Sequence, residues 1–387
     1  MPIRPKSEFL VFGQPEIQQE EIDEVIDSMH KGWLGTGPKV AKFEQDFAAY
    51  KNMPYVAALN SCTAALHLSL LAAGIGPGDE VITTPMTFCA TVNAIIHAGA
   101  TPVLADIDID SLNIAPDKIR EKITSKTRAI LPVHFAGRPC DMDAIVRIAN
   151  EYQLKLIEDC AHAIETEYHG EKAGTFGDFS CFSFYATKNV SSGEGGMVLA
   201  KREEDIARIK ILGLHGMSKD AWKRFGDDGY KHYQVVECGF KYNMMDLQAA
   251  MGMHQLARVE KNWLRRQQIW SHYQQAFADL PIDLPAEVEA ETRHAYHLYT
   301  VLIDESRAGL SRDQFLDAMT VQNIGVGVHY LSLPEHPYYQ KRFGWKPEDY
   351  PNAHLVGQQT LSLPISPKLS DTDIADVIQA VKNSIRY

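Results

Sequence analysis

A chain of 387 residues, 45% hydrophobic and 23% charged, has an ordinary globular composition, which excludes disorder and low-complexity fibre and leaves room for two or three domains. Lysine and arginine total 38 against 50 acidic residues, so the formal net charge of −12 argues against bulk nucleic acid or anionic membrane as partners. The six cysteines stand singly with no C-x-x-C pair, which predicts reduced, mostly buried thiols in a cytoplasmic protein, and His294 and His297, spaced i, i+3, have no H-E-x-x-H pattern or carboxylate set beside them, so no metal centre is expected.

Arg4 and Lys6 precede no apolar run long enough for a secretory signal. Residues 16–29 and 40–50 are spaced as helices, 56–59 as a short buried strand, and 61–71 as a helix that Ser61 starts. Residues 81–105 carry no formal charge, but Pro85, Asn93, Gly99 and Pro102 interrupt them, so they read as strand, loop, helix, turn and strand rather than a membrane span. Strands at 129–133 and 154–158 enclose a helix at 141–152. Two closely spaced strands follow at 179–185 and 196–200, then a long helical pattern at 244–278 and a proline- and acid-rich loop at 280–291. A strand at 296–303 and helices at 312–322 and 371–384 close the chain. Apolar strands alternating with amphipathic helices predict an α/β fold: a large domain over 1–255 with a mainly parallel sheet, and a smaller α+β domain over 256–387.

Three segments carry chemistry. Strand 154–158 runs into Glu158, Asp159 and His162, and ligands of open α/β sheets bind beyond the carboxyl ends of strands. One of these acids faces a ligand or caps the next helix. Lys188 follows an apolar strand and precedes the turn Gly193-Glu194-Gly195-Gly196. A lysine drawn into a desolvated site has a lowered pKa and can form a Schiff base, whereas at a solvated strand end it is only a surface charge. Asn60-Ser61-Cys62-Thr63 opens a helix, where hydroxyls and free N–H groups either bind an anion or simply cap the helix. Together the three suit pyridoxal phosphate (PLP): the lysine holds the aldehyde, the acid keeps the pyridine nitrogen protonated, and the helix start receives the phosphate.

The chain also resembles a known family, the DegT/StrS group of sugar-nucleotide aminotransferases among the fold-type I PLP enzymes. The resemblance rests on Gly32-Trp33-Leu34-Gly35-Thr36-Gly37-Pro38, on residues 60–65, 78–82, 158–163, 183–189, 193–196 and 239–250, and on Gly327-Val328-His329-Tyr330. It implies that Lys188 is the Schiff-base lysine and proton shuttle, that Asp159 pairs with the pyridine nitrogen, and that His162 lies near the cofactor's 3′ oxygen. By the same resemblance Phe88 stacks on the pyridine face, and Ser61, Cys62, Thr63 and Ser183 surround the phosphate. Asn243 reaches the phosphate from a neighbouring subunit, which implies a homodimer with shared active sites. Gly35, Thr36, His329 and Tyr330 contact substrate.

Cys62 stands where the family commonly has Gly, Tyr185 where His is frequent, and Asn243 where Arg is frequent. Asn243 within Lys241-Tyr242-Asn243-Met244, together with His215-Gly216 and Ala221-Trp222, resembles the subgroup acting on UDP-linked 4-keto sugars. The expected activity is therefore transfer of an amino group from L-glutamate to a nucleotide-linked keto sugar. A sugar dehydratase of the same family would carry His in place of Lys188. A PLP-binding regulator would need a DNA-binding module, for which residues 1–8 leave no room.

Overall fold

The computed structural model describes residues 2–218 and 233–385, so Ala221 and Trp222 lie outside the described residues. In chain order the elements are α1 (Gln19–Lys31), α2 (Pro38–Lys51), β1 (Val56–Leu59), α3 (Cys62–Ala72), β2 (Glu80–Thr83), α4 (Cys89–His97) and β3 (Thr101–Leu104). Next come α5 (Pro116–Lys122), β4 (Thr127–Leu131), α6 (Met142–Glu151), β5 (Lys155–Asp159), β6 (Phe179–Ser183) and β7 (Gly196–Ala200). The chain continues through α7 (Glu203–Leu212), α8 (Asp246–Ala257), α9 (Val259–Phe277), β8 (Tyr299–Leu302), α10 (Arg312–Val321), β9 (Thr360–Leu363) and α11 (Asp371–Ser384), with shorter helices between the last of these.

Strands β1 to β7 form one sheet in the order β1-β7-β6-β5-β4-β2-β3. From β3 across to β6 every neighbour pairs in parallel, while β7 runs antiparallel to both β6 and β1. All strands but β7 thus share one direction, and their carboxyl ends share one edge. The predicted mainly parallel α/β sheet is therefore present, with one reversed strand. The uncharged stretch 81–105 folds as β2, α4 and β3, and among the described residues no helix is long and apolar enough to cross a membrane.

Helix α3 shows how so apolar a segment is accommodated. Leu66, Leu68 and Leu70 are buried along with Ala64 and Ala65, because α3 lies between the sheet and helices α4 and α7. Each such leucine contributes about 1.5–3 kcal/mol on burial. A separate cluster, including Phe43, Phe47, Phe182 and Phe184, fills the space between α2, β6 and β7. The C-terminal part has its own core around Tyr273, Tyr299, Phe315, Leu361 and Val377, and Ile3 and Leu10 pack onto it from the start of the chain. Leu10 is tied there through Gly325 N–H to its carbonyl (2.8 Å).

The helical pattern 244–278 is two helices. Arg258 breaks it with φ −109° and ψ 12°, and its guanidinium is pulled aside to the Glu21 carboxylate and the Glu16 carbonyl. Of the six free cysteines, Cys62, Cys140, Cys160 and Cys181 are buried, Cys89 is half-buried and Cys238 is exposed.

One close approach fixes the sheet edge that matters below. A Cβ on Gly196, at the start of β7, would sit 2.4 Å from the Ser61 carbonyl carbon and 2.6 Å from the Cys62 nitrogen. Only glycine lets β7 pass the start of α3 at this distance, since backbone atoms cannot swing away as a side-chain tip does. Gly196→Ala is expected to lower stability by about 1–3 kcal/mol, read as a fall in the denaturant midpoint, and to displace the start of α3.

Candidate active site

The carboxyl ends of β1, β6 and β5 lie side by side, with only the amino end of β7 between the first two. β1 leads through Asn60, whose N–H donates to the Tyr242 carbonyl (2.7 Å), into Ser61. The Ser61 Oγ accepts from the Ala64 N–H (3.1 Å) and so caps α3. This settles the helix-capping role from the sequence and leaves the N–H groups of Cys62 and Thr63 outside the helix ladder. Ser183 ends β6 and accepts weakly from Tyr185 N–H (3.4 Å). The Cys62 side chain joins the apolar cluster beneath, where burial pushes its thiol well up.

Glu158 and Asp159 are consecutive on β5 and so face opposite sides of the sheet. Glu158 is fully buried on one side. Its carboxylate accepts from Gly174 N–H (2.8 Å), Phe176 N–H (2.9 Å), Gly177 N–H (2.7 Å) and the His134 Nε2 (3.1 Å). Burial works against its charge, but His134 and these donors hold its pKa below the usual range. Glu158 is thus an anchor for residues 174–177. Asp159 faces the other side, accepting from Thr91 Oγ1 (2.9 Å) and Ala161 N–H (3.1 Å). Burial raises its pKa despite those bonds and the charge of Lys188.

Lys188 projects from the turn after β6. Burial draws its ammonium down to about 8, against the opposing pull of Cys62 and Asp159. Among the described residues no protein acceptor takes a hydrogen bond from its Nζ. His162, His329 and Tyr330 close the space around it. His162 Nδ1 accepts from Ala136 N–H (3.2 Å), so its Nε2 carries the proton that reaches Tyr330 Oη (3.2 Å). His329 Nδ1 meets Ser362 Oγ (2.9 Å), and burial, with the Lys188 charge, lowers its pKa to about 4. Phe88, at the N-cap of α4, is 58% exposed, with its ring 6.1 Å from that of Tyr330. An aromatic face left open on the same side of the sheet edge as a half-buried lysine and a buried acid is room for a flat ligand.

Gly35, Thr36 and Asn243 form a second group, beside the end of β1. Asn243 Nδ2 donates to Thr36 Oγ1 (2.7 Å), which donates to the Met244 carbonyl (2.6 Å). Gly35 O accepts from Asp246 N–H (2.8 Å), and the Asp246 carboxylate receives the N–H groups of Gly37, Lys39 and Val40. Asp246 therefore staples this loop to the start of α8. Asn243 Oδ1 is buried and has no hydrogen-bond partner among the described residues.

The residues fit a phosphate-bearing pyridine cofactor. Asp159 is a buried carboxylate whose raised pKa shows that it lacks a full positive partner, which a protonated ring nitrogen supplies. The capped start of α3 offers unpaired N–H groups for a phosphate. The sequence assigns no role to Thr91, His134, Glu165, Asn189, Arg266 or His297. Thr91 had a local signal, three residues into the helix that Phe88 caps. The only metal-capable trio among the described residues is His134, Glu158 and Cys160. There Glu158 already receives four donors and His134 Nδ1 accepts from Cys140 N–H (3.1 Å). His294 and His297 do not share a ligand: His294 Nδ1 accepts from Tyr296 N–H (2.7 Å), while His297 turns to Asn189.

Residues 15–382 match the model of the DegT/DnrJ/EryC1/StrS aminotransferase family. The chain is 48% identical over 385 residues to the spore coat polysaccharide biosynthesis protein SpsC of Bacillus subtilis, covering 99% of each. Among solved structures it is similar to Spr1654 from Streptococcus pneumoniae in its PLP form (TM-score 0.90, 32% identity, 97% and 98% coverage). It is also similar to Helicobacter pylori PseC, an aminotransferase involved in the biosynthesis of pseudoaminic acid (TM-score 0.90, 25% identity, 98% and 99% coverage).

The two carboxylates should respond oppositely to neutralisation. Glu158 has a folded pKa below its reference 4.5, so its stabilisation is present above that pH and lost as pH falls through the folded value. Glu158→Gln should cost about 3–5 kcal/mol at neutral pH and remove this acid limb. Asp159 has a folded pKa above 3.8, so its charge costs stability as pH rises through the folded value. Asp159→Asn should leave the cofactor-free protein as stable or more so at pH 7 in denaturant titration, while weakening cofactor retention. Equal destabilisation by both changes would contradict the division of roles.

Proposed function

The chain belongs to the DegT/DnrJ/EryC1/StrS aminotransferase family, and from that premise we propose that it moves an amino group from L-glutamate to a nucleotide-linked keto sugar, most closely a UDP-linked 4-keto sugar. Its fold is that of the fold-type I enzymes, its cofactor is PLP, and it is a sugar aminotransferase. The observation that carries the reading is Lys188, a lysine whose ammonium burial brings into the working pH range, set beside Asp159 at the carboxyl edge of the sheet. Lysine at this position also speaks against the dehydratase.

PLP supplies an electron sink for the negative charge that develops on the carbon losing its proton, and a carbonyl carbon able to carry the amino group between the two substrates. Lys188 would hold it between turnovers. Released, Lys188 Nζ is the base that takes the substrate proton and returns it; at a pKa of about 8 roughly half of such amines are neutral near that pH. Asp159 would stay ionised against the ring nitrogen, held in orientation by Thr91 and Ala161. Phe88 would cover one ring face, and Ser61, Cys62, Thr63 and Ser183 would lie at the phosphate. His162 keeps Tyr330 directed at the site, and His329 borders it.

We place the substrate class on Asn243, which shares a hydrogen bond with Thr36 in the loop that the sequence assigns to substrate. The names of SpsC and PseC, each tied to a glycan or sugar-acid pathway, support a sugar substrate. Asn243 Oδ1, buried without a partner among the described residues, fits a residue completed by a second copy of the chain. α1 adds an exposed apolar stripe, with Ile22, Ile26 and Met29 on one helix face (45%, 44% and 62% exposed), and Trp33 (51%) follows just past the Gly32 that ends the helix.

Borohydride reduction of the yellow protein should fix the cofactor to one peptide containing Lys188. L-Glutamate should shift the absorbance to the amine form, and a UDP-4-keto sugar should restore it. A label elsewhere overturns the site, and preference for a 3-keto or dTDP-linked sugar overturns the substrate.

Shared sites are tested by mixing Lys188→Ala with Asn243→Asp after unfolding. Each homodimer should be impaired, while random pairing should restore roughly a quarter of all sites. Activity no higher than the sum of the two variants, with heterodimers formed, would place Asn243 in its own chain's site.

A further inference from the structure

A buried polar chain runs behind the lysine turn. Asn189, next to Lys188, gives its two amide protons to the Glu165 carboxylate (2.9 and 3.0 Å) and the Ala295 carbonyl (2.9 Å). With both protons committed, its Oδ1 can only accept, so His297 Nδ1, 3.0 Å away, carries the proton between them. The His297 ring lies 4.4 Å from the His162 ring at 35°. Ala136 fixes both histidines: its N–H donates to His162 Nδ1, and its carbonyl accepts from His297 N–H (3.1 Å). Glu165, Asn189, His162 and His297 are all more than nine-tenths buried.

We propose that Asn189 and His297 are positioning residues that keep the His162–His297 pair neutral and proton-ordered beside Lys188, so that the Tyr330 hydroxyl, which accepts from His162 Nε2, is left with its own proton to donate toward the substrate side. The charged groups facing His297 are Lys188 on its turn, Arg266 on α9, His329, His162, and Glu165 through Asn189. All those acting directly on it are cationic or can become so, which burial reinforces in keeping its pKa well down. Among the described residues the Glu165 carboxylate is linked to the imidazole through Asn189, which stands between them. An asparagine there passes on a hydrogen bond without presenting a charge to His297. An aspartate would present one.

The inference rests on Lys188 as the cofactor-bearing lysine, and the test separates the two. In cofactor-free protein with 15N-labelled histidine, His162 should show the Nε2–H form and His297 the Nδ1–H form, neither titrating between pH 6 and 8. In Asn189→Asp, His297 should gain a proton in that range. In the holoenzyme the pH midpoint of the cofactor's visible absorbance in Asn189→Asp should lie about one unit, a tenfold change, below that of the Asn189→Asp/His297→Asn double variant, because both carry the new carboxylate and only the first carries the imidazolium beside Lys188. Adding His297→Asn to Asn189→Asp removes the imidazole that takes up the proton, so the double variant should lose the downward shift. If Asn189→Asp does not fold, His297→Asn decides: it should hold the wild-type midpoint and His162 spectrum, whereas His297→Phe, which stacks but cannot donate, should alter both. An unchanged His297 spectrum in Asn189→Asp, equal midpoints in that variant and the double variant, or equal behaviour of the two His297 variants, overturns the proposal. A borohydride label absent from Lys188 would instead remove the cofactor reading and leave the histidine spectra standing.

Discussion

The constraint on which this structure depends is the removal of water from one lysine. Burial alone draws Lys188 to about 8, and it does so although Asp159 and Cys62 favour the charged form. A surface lysine would stay protonated and inert as a nucleophile or base at neutral pH. Desolvation must therefore be arranged without supplying a strong anion at contact distance. The strand ends do this: Lys188 stands after β6, Asp159 ends the neighbouring β5, and the Asp159 carboxylate is occupied by Thr91 and Ala161 rather than by the ammonium.

The reversed strand β7 makes that arrangement compact. Because β7 runs against its neighbours, its first residue rather than its last lies at the carboxyl edge, and Gly196 meets the start of α3 there. The turn that joins Lys188 to β7 thus ends beside Ser61. One short stretch, 183–196, links the lysine to the helix start that offers free N–H groups. The pairing of Glu158 with His134 and residues 174–177 then fixes the register of β5, which decides that Asp159 and not Glu158 faces the site.

Much of this was legible in the sequence. Strands 56–59 and 196–200 and helix 371–384 fall where apolar runs and an N-capping Ser370 place them. Helix α5 and helix α7 were not read, because a seven-residue helix barely completes a period, and α7 mixes three first-turn acids into a weak stripe. Strand β9 is a four-residue run, TLSL, whose partner strand β8 lies some sixty residues earlier. Lys188, Asp159 and His162 announced themselves by standing beside strand ends and glycine turns. Asn189 and His297 did not, since their meaning lies in a contact between positions 108 residues apart, and no local pattern encodes it. Which of Glu158 and Asp159 faces the site was likewise undecidable from alternation alone, since it needs to be known which side of β5 holds His134.

The polar groups around the site divide by whether they are allowed a charge. Glu158 keeps one, supported by four donors on the side away from Lys188. Asp159 is held in a buried place where a charge is costly until a cation arrives, so cofactor binding and ionisation of Asp159 favour each other. His162, His297 and His329 are all shifted toward their neutral forms, with burial the largest cause and the Lys188 charge adding to it. Three imidazoles held neutral around one amine leave Lys188 as the group whose protonation can change in the working pH range. A proton that must be taken up and returned at a single nitrogen needs this arrangement, because any neighbour titrating in the same range would compete for it.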